Sequence, residues 1–343
     1  LRNAPVKKRM LMTASPVYNA PGDIAPLVNI AAGRKELPVG TEFDRAYVQK
    51  ADKGFLAMIN PWAQKEPKII RKERLSKVLN KWVDYHGSSD KGFPSLTERR
   101  VDVPMNDEQA ALHAHAWGQL PWMTRMRIER GLPPAKKDLP KLNLFQSQVR
   151  QISSSQKKYS KGPVESTPKI QTAVQNFVEK SEKNPQHKAV VYANFLGSLD
   201  DYAGELERRK VPYSMFRGDM SKKVRDQSVR DLNEGRVKAL LVSGAGGEGL
   251  DLKGVRQVQV LEHNWNEEKL RQVIGRARRY GSHAHLPEKQ RNVDVERYAA
   301  YPKNWYGGKG RGIEESLYEI SENKQRLNDQ VLELLKKEGG RRP

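Results

Sequence analysis

The chain has 343 residues, room for two domains or for one with large insertions, and 62 Lys and Arg against 41 Asp and Glu. The net charge of +21 points to a polyanionic partner, nucleic acid first. The absence of cysteine removes disulfides, thiolate zinc sites, iron–sulfur clusters and cysteine nucleophiles together.

The extra positive charge sits early: residues 1–165 hold 29 Lys and Arg against 16 Asp and Glu. The first residue is Leu, which leads us to expect a fragment or a processed product. Leu1–Arg9 is basic, but Met10–Met12 is too short for the apolar region of a signal peptide. No apolar run approaches the ~18 residues of a bilayer span, so no membrane partner is expected. Prolines at 61, 67, 94, 104, 121, 133, 134 and 140 break the first half into short stretches. Ile69–Val83 predicts a basic amphipathic helix. Thr97–Met105 alternates like a strand, and Asn106 with Asp107 caps a helix towards Trp117. Ser153–Ser166 is polar and Lys/Ser-rich, which predicts a mobile linker.

From Thr167 the pattern becomes regular. Helices are predicted over Pro168–Glu182, Leu196–Arg209, Lys222–Asn233 and Glu267–Tyr280. Strands are predicted at Ala189–Ala193, Tyr213–Phe216, Val237–Ser243, Val255–Leu261 and Val293–Tyr298. This alternation argues an α/β fold with a parallel sheet covered by helices, whose ligands gather at the carboxyl ends of the strands. Ile313–Lys336 predicts a closing helix with an apolar stripe of Ile313, Leu317, Ile320, Leu327, Val331 and Leu334.

Two segments carry chemistry. Ser243–Gly249 contains G-x-G-x-x-G directly after a strand, and Glu262 ends the next strand. On paper this is a dinucleotide fingerprint. Only Leu250–Gly254 separates the loop from the Val255 strand, so the crossover helix that would hold a pyrophosphate has no room. Successive glycines instead let backbone N–H groups face an anion at close range. The second segment, Gln272–Tyr280, is read as helical. Arg276 and Arg279 are then i, i+3 on one face, joined by Gln272, and Gly275 lets another backbone approach. A guanidinium pair suits a triphosphate, because it neutralises charge developing on the γ-phosphoryl group.

Together these residues resemble the second RecA-like lobe of a superfamily 2 helicase, in its Swi/Snf-related branch of DNA translocases. Val190–Phe195 resembles motif IV. Phe216–Asp219 with Arg225 and Asn233 resembles the segment after it. Ser243–Leu252 resembles motif V, Trp265–Asn266 the Trp-Asn step, and Gln272–Arg279 motif VI. Leu11–Asn19 resembles motif III, which ends the first lobe. Leu75–Gln109 resembles the lead-in to helical insertions, and Gly312–Tyr318 the helix that braces both lobes. The Gly275–His283 run and Pro287–Arg291 look closest to helicases of phages and large DNA viruses.

The resemblance implies arginine fingers at Arg276 and Arg279. It implies nucleotide contacts at Gly247, Gly249, Asp251 and Gln272. Nucleic-acid contacts fall on Asn194, Arg217, Ser243, Gly244, Ala245 and Gly246, and motif III coupling on Thr13 and Ser15. It divides the chain into a first-lobe end (1–35), a mostly helical insertion (36–152), a linker (153–166), the RecA-like C-terminal lobe (167–310) and a brace helix (311–343). It implies ATP and Mg2+ as cofactors, and double-stranded DNA and an N-terminal helicase lobe as partners. The implied location is inside a cell, in cytoplasm or nucleoid, or in a host cell or virion for a viral protein. No G-x-x-x-x-G-K-S/T and no Asp-Glu-x-His box occurs in the chain, so the fragment alone is expected not to hydrolyse ATP well. The reading is the C-terminal half of an ATP-dependent DNA helicase or translocase. The alternatives are a non-catalytic nucleic-acid-binding module and a viral transcription-associated NTPase. No metal site is expected of His113, His115, His263, His283 or His285.

Overall fold

The computed structural model describes residues 9–13, 16–17, 20–49, 66–85, 92–129, 139–159, 165–244, 250–262, 268–303 and 325–336. The chain forms two compact units. The first comprises residues 1–89, 127–133 and 319–343. Its helices are α1 (Ile24–Ala32), α2 (Thr41–Tyr47) and, after the short antiparallel pair β1 (Val48–Gln49) and β2 (Lys68–Ile69), α3 (Lys72–Trp82). The helix expected from Ile69 begins only at Lys72. Ile69 is drawn into β2, where a β-branched side chain packs well, and Arg71 turns the chain with φ +52. Ile24, Val28, Leu37, Phe43, Leu75 and Leu79 form the core of this unit. A helix over residues 325–336 adds Leu327, Val331 and Leu335 to that core. Its Gln330 accepts the Ile69 N–H at 2.9 Å. Ile313, Leu317 and Ile320 lie outside the described residues.

The second unit comprises residues 90–126 and 134–318. In chain order it contains β3 (Ser95–Pro104), α4 (Asp107–Gly118), α5 (Trp122–Glu129) as far as residue 126, α6 (Leu139–Ser154), α7 (Pro168–Lys183) and β4 (Ala189–Ala193). There follow α8 (Leu196–Arg208), β5 (Tyr213–Phe216), α9 (Lys222–Asn233), β6 (Ala239–Ser243), β7 (Gln257–Val260), α10 (Glu268–Ala277) and β8 (Asn292–Tyr301). The strands make one six-stranded sheet in the order β3-β8-β7-β4-β6-β5, every pair parallel. β4 and β6 are buried on both faces, as apolar runs in a covered parallel sheet must be. Val191 and Leu241 face a core built from α7 and α8, while Val190 and Leu240 face one that includes Leu232, Leu270 and Val273.

The strand expected at 97–105 is the sheet edge, paired with β8 over its whole length from Ser95↔Asn292 to Pro104↔Tyr301. Its exposed Glu98, Arg99 and Asp102 blunt that edge. Asn106 caps α4 as expected, in a capping box with Gln109. Of the mobile linker expected at 153–166, the first two residues belong to α6 instead. Ser153, Ser154 and Gln156 are buried, because Gln109 Nε2 bonds the Ile152 and Ser153 carbonyls and Lys169 bonds the Ser153 hydroxyl.

Candidate nucleic-acid and nucleotide site

The carboxyl ends of β4, β6 and β7 lie side by side, in register at Ala193↔Ser243 and Tyr192↔Val260. Each strand passes a hydrogen bond to the next beyond its last ladder pair. The Gly244 N–H donates to the Ala193 carbonyl at 3.0 Å, and the Leu261 N–H to Tyr192 O at 3.0 Å. The Asn194 N–H donates to Glu262 Oε2 at 2.6 Å. A Cβ on Gly244 would stand 3.0 Å from Asn194 Oδ1 and 3.2 Å from the Tyr192 hydroxyl, so a larger residue there would press on both side chains. The Asn194 amide nitrogen and the Ser243 hydroxyl are buried and have no partner among the described residues. The structure thus brings Asn194, Ser243 and Gly244 together. Ala245, Gly246, Gly247 and Gly249 lie outside the described residues, as do Trp265 and Asn266.

Motif VI is only partly helical. α10 buries Leu270, Val273 and Ala277 and leaves Gln272 exposed and Arg276 half-buried. It ends at Ala277, so the expected shared helix face of Arg276 and Arg279 does not exist. Arg279 lies beyond the helix, its Nη1 3.0 Å from Asp251 Oδ1. The cause is a clasp just past the helix. The Arg278 Nε donates to the Pro94 carbonyl at 3.0 Å, and its guanidinium lies over Phe93. Phe93 meets Tyr280 edge-on, and the Gly281 N–H bonds the Gly92 carbonyl. The expected close approach at Gly275 is also absent, since no described atom lies within 4 Å of where its Cβ would be. Arg217 is placed between Asp219 at 3.1 Å and Asp200 at 3.4 Å. Thr13 is exposed in the first unit, and Ser15 lies outside the described residues.

Sequence reasoning missed two residues beneath this site. Glu262, set aside above with the dinucleotide fingerprint, is 1% exposed and receives the Asn194 N–H. Burial pushes its pKa up, and Lys169 opposes that rise. Lys169 is itself 1% exposed and donates to the Leu261 carbonyl at 2.7 Å and to Ser153 Oγ at 3.0 Å. The only signal in sequence is a charge on the apolar side of α7 and another just past the apolar end of β7. His283 bonds the Val255 carbonyl and Ser282, as a core histidine does.

A family model described as the helicase conserved C-terminal domain matches residues 168–281. A protein of Acanthamoeba polyphaga mimivirus, named as an ATP-dependent RNA helicase, is 31% identical over 330 residues, covering 93% of this chain and 68% of that one. Nucleoside triphosphatase I of Choristoneura biennis entomopoxvirus is 32% identical over 120 residues, covering 33% of this chain but only 18% of that protein. The solved Sulfolobus solfataricus SWI2/SNF2 ATPase core in complex with dsDNA shares the fold, with a TM-score of 0.51 and 16% identity over 89% of this chain and 60% of that one. The chain therefore belongs to the superfamily 2 helicases, and residues 168–281 are their C-terminal RecA-like domain.

Proposed function

We propose that this chain binds nucleic acid at the carboxyl ends of β4 and β6 and supplies Arg276 and Arg279 to an ATP site shared with a helicase lobe that carries a P-loop. The observation that carries the reading is Arg279. It is half-exposed, and among the described residues its guanidinium is tethered by one exposed carboxylate, Asp251, within the loop segment that follows β6. Exposed pairs of this kind contribute about 0–1 kcal/mol, so a triphosphate can draw the guanidinium away at little cost. Arg276 and Arg279 fit a phosphate chain in chemistry, being planar donors that never lose their charge. ATP, when bound, supplies the γ-phosphoryl group whose developing charge the two guanidinium groups offset. Among the described residues no cluster of His, Asp and Glu is placed to hold a metal. We assign Mg2+ to the phosphates and the other lobe.

Asp251, Gln272 and the 247–249 loop are proposed to touch the nucleotide. Arg217 and the 245–246 backbone are proposed to touch nucleic acid, and Thr13 and Ser15 to couple the two events. Segments 1–35, 36–152 and 311–343 are taken as the end of the first lobe, the insertion and the brace helix. The dsDNA in the Sulfolobus complex favours duplex DNA as the track, and the charge of +21 suits either nucleic acid. The name of the mimivirus relative favours a second reading, RNA. Stimulation of ATP turnover in the full-length protein by duplex DNA against RNA of the same length decides between them.

In the same assay Arg276→Ala or Arg279→Ala lowers stimulated turnover by roughly 10³-fold or more, while nucleic-acid affinity changes little. Lysine at either position restores little, because it lacks the planar fork. Wild-type turnover with lost affinity would instead make the pair a backbone clamp and move the chain to the non-catalytic binding module.

A further inference from the structure

We propose that Lys169 and Glu262 are a positioning pair, fixing the carboxyl ends of β4, β6 and β7 in one arrangement so that Asn194, Ser243 and Gly244 meet nucleic acid together. The proposal rests on the reading above that these strand ends are the nucleic-acid site.

Lys169 is the second residue of α7, where the helix dipole disfavours a cation. It is buried there all the same, and burying a charge is costly unless a partner and hydrogen bonds compensate. Two features compensate. The Lys169 ammonium reaches the last turn of α6 through Ser153 Oγ, at the end of that helix where cations are favoured. It also reaches the Leu261 carbonyl, on the residue immediately before Glu262.

The pair has a directional consequence. The turn at Leu261 and Glu262 is gripped from two sides. From beneath, Lys169 holds the Leu261 carbonyl, with the Ser154 hydroxyl 3.5 Å away. From the sheet, the Leu261 N–H bonds Tyr192 O and Glu262 takes the Asn194 N–H. The Gly244 N–H is in turn fixed on Ala193 O. Asn194 and Gly244 therefore inherit their positions from the turn that Lys169 holds. Gln109 of α4 extends the same chain of hydrogen bonds to the Ser153 carbonyl. Neither charged side chain is exposed enough to touch a polymer itself, so their effect must pass through the loops they hold.

The test uses the 343-residue chain and fluorescein-labelled duplex DNA, with single-stranded RNA as the second probe. Glu262→Ala removes the acceptor for the Asn194 N–H, and Lys169→Met takes from the buried Glu262 the cation that opposes its neutralisation. Each is expected to weaken binding about tenfold, with the slope of log affinity against log salt unchanged, because no phosphate contact is deleted. The double variant Lys169→Met with Glu262→Gln removes both charges and keeps the acceptor. It is expected to recover to within about threefold of wild type, whereas Lys169→Met with Glu262→Ala does not recover.

A folded Glu262→Ala chain with wild-type affinity and salt slope overturns the proposal. If that variant does not fold, Lys169→Met decides by amide hydrogen exchange. Faster exchange at the Asn194 and Gly244 N–H groups supports the pair, and unchanged protection overturns it. Ser243→Ala separates this failure from failure of the underlying reading. If it too binds like wild type, the strand ends are not the nucleic-acid site.

Discussion

Glu296 keeps its charge where solvent does not reach. It stands in β8 with no exposed side-chain surface, facing Gln257 and Gln259 of β7. Burial pushes its pKa up, but donation from the Tyr298 hydroxyl at 2.6 Å, Lys180 Nζ at 2.9 Å and Arg99 Nη2 at 2.7 Å outweighs that and holds it at about 2. An unperturbed carboxyl of this type titrates at 4.5, so between 4.5 and about 2 the unfolded chain binds the extra proton. The stabilisation is fully present above pH 4.5 and is lost as pH falls towards 2, a swing on the order of 3 kcal/mol. Urea unfolding of wild type should weaken steeply across that window. Glu296→Gln should be less stable at neutral pH and should show a shallower acid slope. An identical slope in the variant would assign the acid sensitivity to other carboxylates.

At the scale of elements, the helix over residues 325–336 completes the first unit by setting Leu327, Val331 and Leu335 into the core with Leu75 and Leu79. Leu335→Ala should therefore cost the first unit about 2–5 kcal/mol, as deletions of buried leucine side chains do. The transition of the second unit in calorimetry should not move. A melting profile unchanged in both units would mean that the helix contributes nothing to that core. Elements of this kind were legible in sequence where apolar periodicity was strong. β4 and β5 fall at the expected residues, and α9 matches end to end, with its cap at Ser221. The reading fails where polar residues carry the structure. β7 starts later than expected and places Gln257 and Gln259 in the core, satisfied by His187, Tyr202 and Glu296. α10 ends early because the Arg278–Pro94 bond and the Phe93–Tyr280 contact join segments far apart in sequence. Lys169 and Glu262 escaped for a related reason: period and propensity assign a charge to solvent, and only tertiary contacts reveal a buried partner.

Across the whole molecule, the charge of +21 predicts sequence-independent binding to DNA with a linear loss of log affinity in log salt, about −0.9 for each phosphate neutralised. Filter binding over a salt series reads that slope directly, and salt-insensitive binding would refute an electrostatic footprint. Arg217 adds to the slope only when its ion pairs with Asp200 and Asp219 open, so the slope counts a released arginine as well as free cations. The edge of the sheet has a consequence for synthesis. β3 is made long before its partner β8, which follows 197 positions later, as the Thr97–Asp294 bond measures. While the ribosome works through the intervening residues, β3 has no strand to pair with and Arg99 has no Glu296 to meet. A pairing of such long separation closes slowly and late. The nascent chain therefore carries an open β edge until β8 emerges, and the charges along β3 that blunt the finished edge also keep that waiting strand from joining another copy.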